Sequence, residues 1–201
     1  MSRGLITTLI VVGVILIAGI ILYNTFAGSY NRMVEMDEGV KSQWAQVENV
    51  YQRRADLIPN LVNTVKGYAN FEPETLTKVV EARAKATSVT IDPSNLNQQS
   101  IAEFQSAQNG LSSALGRLLV TIEKYPELKA NQNFLDLQSQ LEGTENRITV
   151  ERDKFNQATR DYNTYIKRFP QNLLRGMYGF EEKGYFEATK EGAENAPEVT
   201  F

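Results

Sequence analysis

The chain has 201 residues, a formal net charge of −3, 42% hydrophobic and 22% charged residues, a balance that suits one folded domain and speaks against nucleic acid as a partner. It contains neither cysteine nor histidine. Disulfides, thiol nucleophiles, lipid-bearing cysteines, Ser-His-Asp triads and the Glu-x-x-His pairs of di-iron bundles are therefore excluded.

The first element is apolar. Leu5 to Tyr23 reads LITTLIVVGVILIAGIILY, with no charged residue between Arg3 and Arg32. Nineteen helical residues rise about 28 Å, close to the ~30 Å hydrocarbon core of a bilayer. The backbone polar groups of such a stretch must be satisfied within it, so it must be a helix. Tyr23, Phe26 and Tyr30 fall where interfacial aromatics are expected. A cleaved signal peptide is the alternative, but the stretch exceeds the usual 7–15 apolar residues and Thr25-Phe26-Ala27 is a weak cleavage context. A short segment 1–4, a transmembrane helix over 5–26 and a bilayer as partner are expected. Orientation is not readable, because Arg3 and the α-amino group balance Arg32 and Lys41.

From Tyr30 to Tyr68 the apolar residues Val40, Trp44, Val47, Tyr51, Ile58, Leu61, Val65 and Tyr68 keep a helical rhythm. Pro59 lies inside this run and predicts a kink or a break near Ile58, a candidate hinge. A turn over Gly67 to Pro73 precedes a short helix from Glu74 to Ala86. The stretch TSVTIDPSNLNQQS reads as a polar loop. A third long helix is predicted from Ser100 to Tyr125, with Phe104, Ala107, Leu111, Leu115, Leu118, Ile122 and Tyr125 as its stripe, and Pro126 ends or kinks it.

The fourth long helix carries Phe134, Leu141, Ile148, Phe155, Tyr162 and Phe169 at every seventh position, a coiled-coil-like seam. Pro170 stops it. A coda rich in glycine and aromatics follows. From Glu181 onward six carboxylates stand against two lysines, and 181–201 reads as an acidic flexible tail. The fold class is all-α: an N-terminal transmembrane helix, then an antiparallel bundle of about four long helices over 27–180.

RRADLIPNLVNTVKGYANFE (Arg53 to Glu72), the stretch from Ala114 to Leu173 and the closing MYGFEEKGYFEA together resemble the LemA family. The resemblance covers nearly the whole chain. It implies a bacterial membrane protein with one N-terminal helix and a helical-bundle domain, and it brings no molecular function with it. Its small N-terminus is implied to face outward. Phe71 stands where the family often has histidine, so any chemistry of that histidine is missing here.

Two polar clusters interrupt the apolar pattern. Arg53, Arg54, Asp56 and Asn60 flank Pro59. Glu142, Glu145, Asn146 and Arg147 lie in the fourth helix, with Glu145 beside the seam. A half-buried carboxylate needs a partner, and Arg53 or Arg54 is the natural one. The cluster Arg53, Arg54, Asp56, Asn60, Glu145 and Arg147 is therefore expected to form an interhelical polar network. Fixing helix register suits it better than binding a ligand. On that reading Glu145→Leu should leave stability unchanged or raised. Tyr178, Phe180, Tyr185 and Phe186 lie beyond the last long helix and form either a partner-binding patch or a lid.

No catalytic residue, cofactor or metal is expected, and the chain is read as no enzyme. The leading expectation is a membrane-anchored interaction or scaffold protein of the bacterial cell envelope, with the bundle outside the bilayer and a protein partner or homo-oligomer. The alternative is a sensor or regulatory bundle that relays binding through the membrane-proximal helix.

Overall fold

The computed structural model describes residues 3–68 and 72–187. Phe71, the first two residues and the acidic stretch from 188 onward lie outside the described residues. Six helices follow one another: α1 (Arg3–Lys66), α2 (Pro73–Ser88), α3 (Gln98–Ile122), α4 (Pro126–Lys129), α5 (Gln132–Lys167) and α6 (Gln171–Tyr178). No strand occurs among the described residues.

Local chemistry sets the boundaries. Pro73 opens α2, where its missing N–H is no loss. Asn97 caps α3 by accepting from the Ser100 amide at 2.9 Å, and Asn131 caps α5 by accepting from the Phe134 amide at 3.1 Å. Gly179, at φ 74°, ends α6 in the left-handed conformation that glycine adopts without strain. Helix α3 stops at Ile122, three residues short of the expected Tyr125, and Pro126 starts the single turn of α4.

The C-terminal two-thirds of α1 packs antiparallel to α5. Hydrogen bonds join Gln43 to Glu151, Arg54 to Glu145, and Gln171 just beyond α5 to Ser29. Helices α2 and α3 form a second antiparallel pair, and the two pairs close over a common core. That core has two apolar clusters. The proximal one gathers Trp44, Tyr51, Phe104, Ile148, Phe155, Tyr162 and Phe186. The distal one gathers Ile58, Leu61, Val79, Leu111, Leu118, Phe134 and Leu141. The N-terminal part of α1 has no such partner: its apolar window is long enough to cross a membrane, and none of it is buried in the chain.

Three expectations change. First, α1 runs through Pro59 without a break. A proline supplies no N–H to the carbonyl four residues back, here that of Ala55. Arg83 of α2 takes that place, its Nε donating to the Ala55 carbonyl at 2.7 Å. The gap in the helical ladder has become a latch between α1 and α2. Second, Phe169 is not part of the seam. Helix α5 ends at Lys167, and Phe169 is 78% exposed, whereas Phe134, Leu141, Ile148, Phe155 and Tyr162 are buried. Third, residues 181–187 do not open a free tail. They run as an extended strap along the bundle, held by side chains of α3 and α5.

The latch can be checked by a double-mutant cycle. Arg83→Ala should cost about 1–2 kcal/mol in the native background, because the buried Ala55 carbonyl loses its donor. In a Pro59→Ala background the restored amide supplies the carbonyl, and the same change should cost clearly less. Equal costs in both backgrounds would show that the proline and the arginine are independent.

Candidate functional site

Arg54 sits on the face of α1 that also carries Tyr51 and Ile58, so helical geometry turns it inward between the proximal and distal clusters. Its side chain is 3% exposed. Nη1 donates to Glu145 Oε2 of α5 at 2.9 Å and to Ser112 Oγ of α3 at 2.9 Å, and Nη2 donates to Gln108 Oε1 of α3 at 2.7 Å. The guanidinium carbon lies 5.1 Å from the centroid of the Tyr51 ring. Gln108 then donates from Nε2 to the Ala86 carbonyl at 3.1 Å. Ala86 lies in the last turn of α2, where carbonyls have no helical donor. One polar layer therefore ties together α1, α2, α3 and α5.

The layer is asymmetric. Glu145 is 54% exposed at its side chain while Arg54 is buried. Nε of Arg54 has no hydrogen-bond partner among the described residues. A partly satisfied buried cation costs stability, and that cost depends on how the helices are aligned. A notch of about 310 Å³ opens beside it, walled by Leu115, Leu119, Leu141, Gln138 and Glu142.

Of the residues expected here, the structure brings together Arg54 and Glu145. Arg53, Asp56, Asn60 and Arg147 are exposed and stand outside the layer. Asp56 accepts from Gln52 Nε2 one turn back, at 2.8 Å. Gln108 and Ser112 were missed. Gln108 had a signal: the rhythm Ile101, Phe104, Gln108, Leu111, Leu115 puts an amide at a core position. Ser112 had none.

The second arrangement is the strap. Asn163 grips Lys183 through both ends of its amide, at 2.8 and 2.9 Å, and Asn156 grips Phe186 in the same way at 2.9 Å. Gln98 and Gln105 do the same for Tyr185 and Glu187. The backbone of an extended peptide is thus satisfied by side-chain amides instead of a neighbouring strand. Phe186 enters the proximal core beside Trp44, Phe104 and Phe155. Gly184 passes so close to the start of α3 that its amide donates to the carbonyl of Leu96, two residues before the helix, at 2.8 Å. Phe186 is therefore core rather than contact surface; Tyr185 and Phe180 are half-buried, and Tyr178 remains exposed.

The strap is also fastened by charge. Lys183 Nζ lies 2.9 Å from Asp37 Oδ1 of α1, and Lys41 lies 2.8 Å from the other oxygen. Burial acts to raise the Asp37 carboxyl, but hydrogen bonds from Lys41 and Lys183 outweigh it and hold the group below the usual aspartate range. A depressed carboxylate contributes stability that is fully present above its unfolded value, about 3.9, and is lost as pH falls through the folded value. Below about pH 4 the native protein should therefore lose thermal stability more steeply than Asp37→Asn, which lacks this group. Parallel slopes in melts from about pH 6 to pH 2 would remove Asp37 from the account.

The LemA family model matches residues 43–201. Two proteins of Paramagnetospirillum magneticum, Magnetosome protein MamQ 1 and MamQ 2, are each 27% identical over 96% of this chain and 76% of their own length. Protein LemA of Metamycoplasma hominis is 24% identical over 85% of this chain and 74% of its own.

Proposed function

The chain belongs to the LemA family, and on that premise we propose that it is a membrane-anchored scaffold of the bacterial cell envelope, spanning the bilayer once and presenting its bundle to a protein partner or to further copies of itself. At the coarser level it is a membrane-associated helical protein. The observation that carries the proposal is the continuity of α1. One helix is bare and apolar at its start and forms a wall of the bundle at its end. An anchor joined to a domain by unbroken helix holds that domain at a fixed height and orientation, as a scaffold requires.

The names of the family and of these relatives carry no catalytic activity. The polar groups of the interior support the same reading. Arg54, Gln108 and Glu145 are engaged with one another, and the strap fills the other polar groove. Both arrangements spend hydrogen bonds on alignment, and neither presents a paired acid and base to a substrate.

A relay is the second reading, and the Pro59–Arg83 latch favours it. Release of Arg83 would free α2 from α1 at the point where the helix is weakest, with Pro59 as the hinge.

Photo-cross-linking from Val80, Val120 and Leu135, exposed apolar residues of the bundle, tests the scaffold in native membranes. A discrete adduct with one identified protein, or with a second copy, is the expected outcome. Absence of any protein adduct from all three positions would overturn it. The relay instead requires that Pro59→Ala change a membrane-side readout, such as accessibility near Tyr23, while the bundle melts normally.

A further inference from the structure

The geometry points to a second membrane contact: α6 lies in the bilayer interface and seats the bundle on the lipid surface. This inference rests on the reading of the α1 apolar stretch as membrane-spanning.

Helix α6 packs against α1 just past that stretch. Gln171 Nε2 donates to Ser29 Oγ at 3.3 Å, and the Tyr178 ring centroid lies 4.8 Å from that of Tyr30. Leu174 of α6 is buried in the proximal core. These three residues mark the face of α6 that meets the protein. A flank of the helix beside that face is apolar and bare: Leu173 is 58% exposed and Met177 75%, at the i, i+4 spacing that stacks side chains on one side of a helix. Phe169, two residues before the helix, is a third large exposed apolar group. A solvated protein surface rarely gathers such residues without an occupant.

The height of the patch identifies the occupant. Tyr30 lies four residues beyond Phe26 on the same helix, about 6 Å further along its axis. The headgroup region extends roughly 5–8 Å beyond the hydrocarbon on each side. A helix fastened at Ser29 and Tyr30 is therefore held at headgroup level, and amphipathic helices lie there with their apolar face about 5–10 Å into the boundary. The aromatics agree. Tyr178 and Phe180 join Tyr30, with ring centroids 4.8 and 5.9 Å away, in the zone where amphipathic rings collect. Lys167 and Arg175 are both paired with Glu182 of the strap, at 2.7 and 3.2 Å, and Arg168, next to Phe169 in the chain, adds a cation that suits a surface of anionic lipid. The glycine at position 179 then turns the chain away from the membrane and up into the strap.

The absence of cysteine makes the test direct. Single cysteines at Leu173, Met177, Val14 and Val150 would each carry a nitroxide in the full-length protein. The protein would be reconstituted into vesicles of phosphatidylethanolamine and phosphatidylglycerol. Accessibility to oxygen, which concentrates in lipid, is compared with accessibility to a water-soluble nickel chelate. The expected result is an oxygen-to-nickel ratio at Leu173 and Met177 several-fold above that at Val150 and approaching that at Val14. If Val14 reads as lipid while Leu173 and Met177 match Val150, the interfacial helix is overturned and the anchor stands. If Leu173 and Met177 are shielded from both reagents, a protein covers the patch and the inference is equally overturned. If Val14 itself reads as aqueous, the anchor has failed and the inference falls with it. Phe169→Ser with Leu173→Ser and Met177→Ser should leave melting unchanged, because none of the three is buried, while raising proteolysis of the strap in vesicles.

Discussion

Phe186→Ala is expected to lower the unfolding free energy by about 3–5 kcal/mol, the range for emptying a buried phenylalanine site. Phe186 is 4% exposed and meets Trp44, Phe104 and Phe155 with ring centroids 5.5–6.4 Å apart. Its loss also releases what the ring anchors. The amides of Asn156 and Gln105 face the strap backbone, and without the ring they gain no more from it than from water. A companion change attacks the same seat from outside the core. A Cβ at Gly184 would fall 2.6 Å from Gln98 Cα and 2.6 Å from Gln98 N, both backbone atoms that cannot rotate away. Gly184→Ala should therefore lift the strap and cost about 1–3 kcal/mol, as overpacking does. Trp44 is the only tryptophan and stacks on Phe186 at 6.0 Å, so its emission reports the seat. Both variants should shift it to the red and lower the midpoint of chemical denaturation in detergent. If both denature like the native protein with unshifted emission, the strap contributes nothing.

Glu145→Leu is expected to destabilise, against the neutral or stabilising effect read from the sequence. The reason is the unequal burial of the pair. Removing Glu145 takes the one carboxylate from a cation that stays enclosed by Tyr51, Gln108 and Ser112. A fully buried pair broken in this way costs about 3–5 kcal/mol. Glu145 is half in water, so the expected loss is smaller, about 1–3 kcal/mol. Arg54→Met in the Glu145→Leu background removes the stranded charge and should recover most of that loss. The double variant tests the register role as well. With an apolar layer joining the two core clusters, the helices can slide past one another, so melting should broaden and cross-linked species should multiply. A double variant that is less stable than Glu145→Leu would overturn this account.

Much of the architecture was legible because burial imposes periodicity. The stripe Val40, Trp44, Val47, Tyr51, Ile58, Leu61, Val65 located the buried side of α1, and five of six seventh-position residues located that of α5. The same logic gave Glu145 a partner in Arg53 or Arg54, since a charge beside an apolar seam needs one, and packing selected Arg54. The rest turns on contacts between residues far apart in sequence. Pro59 reads as a kink or a break when α1 is considered alone, because a lone helix offers its Ala55 carbonyl no other donor. Arg83 comes from another helix and has no sequence mark to say so. The heptad rhythm carried on to Phe169 although the helix had stopped, because spacing says nothing of where the backbone turns.

The sequence by itself determined a long uncharged apolar start, an all-helical domain behind it, and no thiol or imidazole chemistry. Those follow from residue type and spacing, which act locally. Only the tertiary structure decided that the acidic C-terminal region begins as a strap seated by four side-chain amides, and that Phe186 is core while Met177 is bare. It also decided that a bare helix lies level with the end of the apolar stretch. Each of these depends on which surfaces meet when the helices pack, and that is fixed by the sum of many weak contacts rather than by any one segment.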